Sequence, residues 1–564
     1  MSRGRKALML IGAVGLPGLL LVMAASGPTA SAAQQSGSGA SSKVSYAAIN
    51  GAGSTWAQIA VDEWIANISN FQVNFSGDGS AAGRTAFAEK TIDFAVSDIG
   101  YQGVDPITHQ TDASPNRPYA YLPVTGGGTS FPYNLTVNGH QVTNLRLSGK
   151  TLAEIFTQHI TNWDSPQIQQ DNNLAHPFPN IPITTVVEDE GSGTSYQFSR
   201  YLNDLYGQYW KPFDNGFAGA TEYWPTSKGN SQVAESSSAQ VMNYITSAPG
   251  SIGYDEYAYP LQAGFPVVAL ENAAHYFVYP SEYNDAVALT TAVINYQPKS
   301  PDYLLENLNN VYTNPDRRAY PLSSYSYTII PTSSSDELMN KSGGFPAKAE
   351  SLATFLKYSI CNGQDYIGRL GYSALPINLV QAGFKQILKI KAAAPEVSLA
   401  ALNIRQCNNP TFDSKNLKLN LLAQEAPFPR TCAEAGHGPC PGILNANANG
   451  GKGSGKKGTG NGASPSASPS SGARGSGGTG KSGSSKSGSG NSGTGSSATG
   501  TSGTGGSSGN GTTGNATDVA SNLPATQSGL NNWALGVLVV LLLLAIVIIP
   551  PIVSRGISGR GRQW

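Results

Sequence analysis

Three times in this chain a short apolar run ends in a turn of glycines and hydroxyl residues that opens onto an amphipathic stretch. Residues 44–50 read as a strand that runs into Gly51-Ala52-Gly53-Ser54-Thr55, then a helix from Trp56 to about Ile68 with Ile59, Trp64, Ile65 and Ile68 on one face. Residues 73–75 read as a second strand, which ends in Gly77-Asp78-Gly79-Ser80 and leads to a helix through Arg84, Phe87 and Ala88. A third strand, 92–96, ends at Ser97-Asp98. Another, 183–187, reaches Gly191-Ser192-Gly193-Thr194-Ser195, which opens a helix over 196–205. Strands that feed helices in this way predict an α/β domain.

The turns also predict chemistry. Glycine lets the backbone turn sharply and approach a bound group closely. The helix that follows presents unpaired N–H groups and the positive end of its dipole. Serine and threonine add hydroxyl donors. An anion is stabilised there without any formal positive charge. One such turn does no more than cap a helix; three in one α/β domain point to a shared anion site.

An ordered series of motifs carries a resemblance over about residues 45–390. Gly51-Ala52-Gly53-Ser54-Thr55-Trp56, Gly79-Ser80 and Asp93-Phe94-Ala95-Val96-Ser97-Asp98 come first. Pro123-Val124, Gly126-Gly127, Tyr133-Asn134, Leu147-Ser148, Ile155-Phe156 and Ile160-Thr161-Asn162-Trp163-Asp164 follow. Gly191-Ser192-Gly193-Thr194, Pro249-Gly250-Ser251-Ile252-Gly253-Tyr254 and Gly371-Tyr372-Ser373-Ala374-Leu375-Pro376 complete it. The series resembles the phosphate-binding proteins of ABC phosphate importers, which have the two-lobed type II periplasmic-binding-protein fold. The resemblance implies lobe one at about 44–125 and 318–405, lobe two at about 127–317, and ligand in the cleft between them. It implies that the Thr55 hydroxyl, the Trp56 amide and Ser80 donate to the anion, that Ser192, Gly193 and Thr194 cap it from the second lobe, and that Asp98 accepts a proton from it. An ionised carboxylate only accepts, so Asp98 welcomes a protonated oxyanion such as phosphate and repels sulfate. The implied partners are phosphate or a similar oxyanion and the importer's permease and ATPase, with the protein acting as a monomer and no cofactor or metal. The competing reading is a cell-surface sensor or interaction protein with the same fold and another ligand.

The chain departs from this pattern at one position. Where the family has an arginine, three residues before the glycine of Gly191-Ser192-Gly193-Thr194, stands Glu188, followed by Asp189 and Glu190. In one picture Glu188 points into the cleft and Arg84 supplies the missing guanidinium; in the other Glu188 points to water and Arg84 is an exposed helix charge.

Catalytic motifs are missing from the sequence. Glu190 stands where a nucleophile elbow around Ser192 needs glycine. The six histidines (109, 140, 159, 176, 275 and 437) show no paired metal spacing. Residues 450–457 approach a phosphate loop but lack its final Ser or Thr. Lys+Arg 35 balances Asp+Glu 35, which leaves no basic excess for nucleic acid. The expectation is a binding protein, not an enzyme.

The two ends of the chain predict its placement. Arg3, Arg5 and Lys6, an apolar run 7–25 and Ala30-Ser31-Ala32 read as a signal peptide over 1–32. The globular composition spans about 44–425, and 446–530 is a Gly- and Ser-rich linker that buries too little apolar surface to fold. As a flexible coil it reaches about 50 Å r.m.s.. Residues 533–553 are apolar enough to span a bilayer, and Arg555, Arg560 and Arg562 in the tail 554–564 place that end in the cytoplasm. Leu523-Pro524-Ala525-Thr526 resembles a wall-sorting signal, but Gln527 follows where glycine is expected. After export the four cysteines pair as disulfides. Of three possible pairings the spacing favours Cys432–Cys440, a short loop, with Cys361–Cys407. Protease added to intact cells is expected to release a soluble fragment of about residues 33–445. Full protection of that fragment would contradict the topology.

Overall fold

The computed structural model describes residues 44–441, apart from 106, 227–230, 342–344, 400–401, 414 and 417–418. The signal peptide, the linker, the apolar run 533–553 and the sorting-like motif lie outside the described residues. Among the described residues no helix is long and apolar enough to cross a membrane.

Strand β1 (Ile49–Gly53) leads to helix α1 (Gln58–Ala66), β2 (Val73–Gly77) to α2 (Ser80–Ala88), and β3 (Phe94–Ser97) follows. β1 lies between β2 and β3, parallel to both. β3 is buried along its whole length, as expected of a strand covered on both faces. The first strand begins at Ile49 rather than at 44, so Gly51, Ala52 and Gly53 lie inside it. Their small side chains let α2 pack close to the sheet.

The chain then runs along β4 (Tyr119–Ser130), twelve residues and almost wholly buried, out of this first lobe. In the second lobe, β5 (Arg146–Leu147) and helix α3 (Gly149–Phe156) come first. β6 (Thr184–Glu188) follows and opens into α4 (Gly193–Phe213), which breaks at Tyr206. Next are β7 (Gln232–Glu235), α5 (Ser238–Ser247), β8 (Ser251–Gly253) and β9 (Asp255–Glu256). β10 (Ala269–Glu271), β11 (Phe277–Val278) and helix α6 (Glu282–Leu289) close the lobe. β6 is the centre of a parallel three-stranded sheet in the order β7-β6-β8, and β10 is the centre of a second sheet in the order β11-β10-β5. An aromatic cluster fills this lobe: Phe198 stacks on Trp224 at 5.3 Å and meets Phe156 edge-on at 5.0 Å.

Strand β12 (Ser323–Pro331) carries the chain back. It pairs antiparallel with β4 from Ser323 opposite Gly128 to Pro331 opposite Tyr119, with a register shift between Ser326 and Tyr327. With β9 on one edge, the main sheet has the order β9-β4-β12-β3-β1-β2. Two long strands therefore join the lobes. Helices α7 (Ala347–Ile360) and α8 (Ile377–Ala393) then pack on the first lobe. The strand–turn–helix pattern predicts the α/β architecture, and the two-lobed arrangement is the one that the resemblance implies.

Both disulfides form as the spacing predicts, Cys361–Cys407 and Cys432–Cys440. The chain stays folded beyond residue 425. Helix α9 (Leu421–Glu425) packs on α6, and the Cys432–Cys440 loop lies on the second lobe, where Asn144 Nδ2 donates to the Cys440 carbonyl (3.0 Å).

A buried ion pair crosses the cleft. Arg84 on α2 is fully buried. Its Nε donates to both oxygens of Asp112 (3.1 Å each), Nη1 to Ser97 Oγ (2.9 Å), and Nη2 to Glu222 of the second lobe. Glu222 is only 2 % exposed. Removing one partner of a buried pair leaves the other charge uncompensated, at a cost of about 3–5 kcal/mol. Arg84→Ala is therefore expected to lower the unfolding free energy by about that amount in urea denaturation, with part recovered in Arg84→Ala/Glu222→Gln. An unchanged midpoint would show that the pair contributes no net stability.

Candidate functional site

The three predicted turns meet at one place. β1, β2 and β3 run parallel, so the turns that follow them lie at the same end of the sheet. Ser54 follows β1 and donates its hydroxyl to Asp98 (2.8 and 2.7 Å to the two oxygens). Ser80, the first residue of α2, donates to Asp98 Oδ2 (3.0 Å) and accepts from the Asp98 amide (3.3 Å). Gly79 precedes it with φ +90°, a conformation that side chains rarely adopt. Thr55, Trp56, Ser80 and Asp98 are all buried.

The second lobe brings its turn to the same point. Ser192 caps α4 and accepts from the amides of Thr194 (3.1 Å) and Ser195 (3.2 Å). A Cβ on Gly193 would lie 2.6 Å from Asp98 Oδ2 and 2.7 Å from Ser80 Oγ. Only glycine permits that approach of one lobe to the other. The Ala81 amide donates to the Gly191 carbonyl (2.9 Å), Gln197 Nε2 to the Asp98 carbonyl (3.1 Å), and the Tyr259 hydroxyl to the Thr55 carbonyl (2.6 Å). Beside Asp98 the cleft widens into a cavity of about 570 Å³ bordered by Tyr196, Gln197, Arg200, Glu306 and Tyr327.

Glu188, the last residue of β6, faces this cleft and is fully buried. The Ser192 hydroxyl donates to Glu188 Oε2, and Ser238 Oγ lies 3.1 Å from Oε1 and 3.2 Å from Thr55 Oγ1. The Glu188 amide donates to the Tyr254 hydroxyl (3.1 Å), which contacts Ser195 Oγ at 2.6 Å. Burial raises the Glu188 carboxyl to about 7, although the hydroxyls of Ser192, Ser238 and Thr194 favour its charged form and the charge of Asp98 opposes it. Burial and the charge of Glu188 push Glu190 up to about 9. Asp98 is also raised by burial, and its serine donors limit the rise. Behind Glu188, burial holds Asp255 and Glu256 well above the usual carboxylate range. The site is rich in hydroxyl donors and in carboxyls that hold protons to unusually high pH.

The structure places Glu188 in the cleft and corrects the expectation for Arg84. That side chain is neither an exposed helix charge nor a guanidinium aimed at the turns. Asp112, Ser97 and Glu222 engage it, and it acts on the cleft by joining the lobes. Sequence reading also missed Ser54 and Ser238. Ser54 sits within a quoted motif. Ser238 follows Ser236 and Ser237 at the start of α5 without any glycine, the pattern of an ordinary cap. Among the described residues no cluster of His, Cys, Asp and Glu is arranged to hold a metal ion.

Sequence comparison adds relatives. The "Phosphate-binding protein PstS" of Methanocaldococcus jannaschii is 27% identical over 358 residues, 62% of this chain and 88% of that protein. The protein of that name from Xylella fastidiosa is 28% identical over 341 residues, 59% of this chain and 83% of that protein. Among solved structures, a phosphate-binding protein from Stenotrophomonas maltophilia has a TM-score of 0.44 at 17% identity, covering 60% of this chain and 93% of that one. The high-affinity periplasmic phosphate-binding protein PfluDING has a TM-score of 0.46 at 20% identity, covering 64% and 96%. Residues 27–362 match the PBP superfamily domain. That match takes in most of both lobes and every turn of the site, and the chain belongs to the PBP superfamily.

Proposed function

We propose that this protein is an extracellular, membrane-tethered receptor that captures inorganic phosphate and delivers it to an ABC importer. The observation that carries the reading is the convergence of hydroxyls from both lobes on one buried point beside Asp98. Thr55 and Ser80 come from the first lobe; Ser192, Thr194 and Ser238 come from the second. The relatives named as phosphate-binding proteins support it. Binding would draw the lobes together, and the closed form would dock on a permease whose ATPase drives uptake.

Glu188 changes how the anion is held. An ionised carboxylate at this position repels phosphate. Its acid form donates a hydrogen bond to phosphate. With the carboxyl raised to about 7, the acid form dominates below that pH and the charged form above it. Phosphate then binds with uptake of a proton by Glu188, where an arginine would bind it with none. Asp98 keeps its acceptor role towards the proton that phosphate still carries.

Titration calorimetry of the full chain with phosphate tests this reading. As pH falls from 8 to 6, affinity is expected to rise about tenfold more than it does in Glu188→Gln, where the ionisation of phosphate itself still contributes. The reason is that a group with a pKa near 7 changes its protonated fraction about tenfold over that window. Thr55→Ala, Ser80→Ala and Thr194→Ala should each weaken binding by about 1–3 kcal/mol, the range for hydrogen bonds to a charged partner. Absence of phosphate binding at both pH values would refute the function. A pH dependence no different from that of Glu188→Gln would refute the role of Glu188. For specificity, Asp98→Asn is expected to bind sulfate better than the unchanged protein, and equal rejection of sulfate would contradict the acceptor role of Asp98.

A further inference from the structure

A second cavity, of about 390 Å³, shares no residue with the anion turns and lies between the start of β4, helix α8 and the loop 298–303. Tyr119, Tyr303, Pro298 and Pro301 give it flat apolar walls. The Tyr119 ring packs against Tyr101 at 4.9 Å and Tyr121 at 5.2 Å, so that wall is fixed before any ligand arrives. Lys299 and Lys389 line the same cavity, and none of its lining residues is acidic.

The two lysines reach the cavity from distant parts of the chain, Lys389 on α8 and Lys299 in the loop. Lys389 Nζ lies 5.9 Å from the centre of the Tyr303 ring, which puts its charge at the cavity wall. Neither lysine has an ion pair or a hydrogen bond with the described residues. Partial burial lowers the Lys389 ammonium from its ordinary range, and no carboxylate offsets that effect. Beside Lys299, Ser300 Oγ accepts from Asn295 Nδ2 (2.9 Å) and from the Asp302 amide (3.1 Å), so its own O–H remains to donate. Asp302 itself lines the other cavity, beside Asp98, and its charge reaches Tyr119. Tyr119 is therefore a wall for an uncharged group, and the lysines and Ser300 are the place for a negative one. An anion there offsets both the desolvation of Lys389 and the repulsion between two like charges.

We infer that this cavity is a second ligand site, independent of the phosphate reading, which takes a small carboxylate with a flat aromatic body. The carboxylate pairs with the ammonium groups of Lys299 and Lys389 and accepts from Ser300, while the ring packs on Tyr119 and the two prolines. Both lysines keep surface open to solvent, so a ligand reaches them and their replacement leaves the core untouched. Inorganic phosphate has no apolar body to cover these walls and is not the ligand of this site.

Calorimetric titration of the full chain with benzoate, 4-hydroxybenzoate and cinnamate tests the inference, with phosphate in excess to keep the carboxylate from the anion turns. Saturable binding of at least one is expected, with no binding of benzyl alcohol. Lys299→Gln and Lys389→Gln should each weaken that binding severalfold, and the double variant should weaken it by about tenfold or more. Failure of all three carboxylates to bind would overturn the site, as would equal affinity for benzyl alcohol or unchanged affinity in the double variant.

Discussion

A carboxyl group taken fully out of water must be given donors, a positive partner or a proton. At Glu188 the chain supplies donors, and burial raises the carboxyl to about 7. Its nearest polar neighbours are the hydroxyls of Ser192 and Ser238, and the guanidinium of Arg84 is held elsewhere by Asp112 and Glu222. The position ends β6 and sits at the mouth of the turn that caps the cleft. Its charge state therefore controls the electrostatics of the whole site. Asp98, Glu190, Asp255 and Glu256 crowd the same region, and each is pushed up by burial. Such a site favours a ligand that brings protons or hydrogen-bond acceptors and disfavours a fully ionised group.

The backbone makes this arrangement possible. Parallel strands bring the ends of β1, β2 and β3 to one side of the first lobe, and β6 and β7 do the same in the second. β4 and β12 join the lobes as a paired ribbon, which fixes where the two sets of turns face each other. Gly193 then lets the second lobe come directly against Ser80 and Asp98 of the first. The Arg84–Glu222 pair spans the same cleft.

Much of this was legible in the sequence because local chemistry carried it. Glycines and hydroxyls at strand ends marked the turns, cysteine spacing marked the disulfide pairs, and the apolar run before Glu188 delivered that residue to the cleft. Other features were not legible. The first strand runs on past Asn50, where the glycines suggested a turn, because Gly51 to Gly53 are paired on both sides by β2 and β3. Ser238 looked like any helix cap. Arg84 was misread because its partners, Asp112 and Glu222, lie 28 and 138 residues away, and no local pattern announces such a pairing. Lys299 and Lys389 are the same kind of case: only the fold brings them to one cavity.

The central claim is that Glu188 accepts a proton when phosphate is bound and uses it to hold the anion. Infrared difference spectroscopy of the full chain, with and without phosphate at slightly alkaline pH, reads that proton directly. The account predicts that phosphate adds a carboxylic-acid carbonyl band and removes carboxylate intensity, and that both changes vanish in Glu188→Gln. Saturation with phosphate and no new acid band, or an acid band that persists in Glu188→Gln, would contradict it.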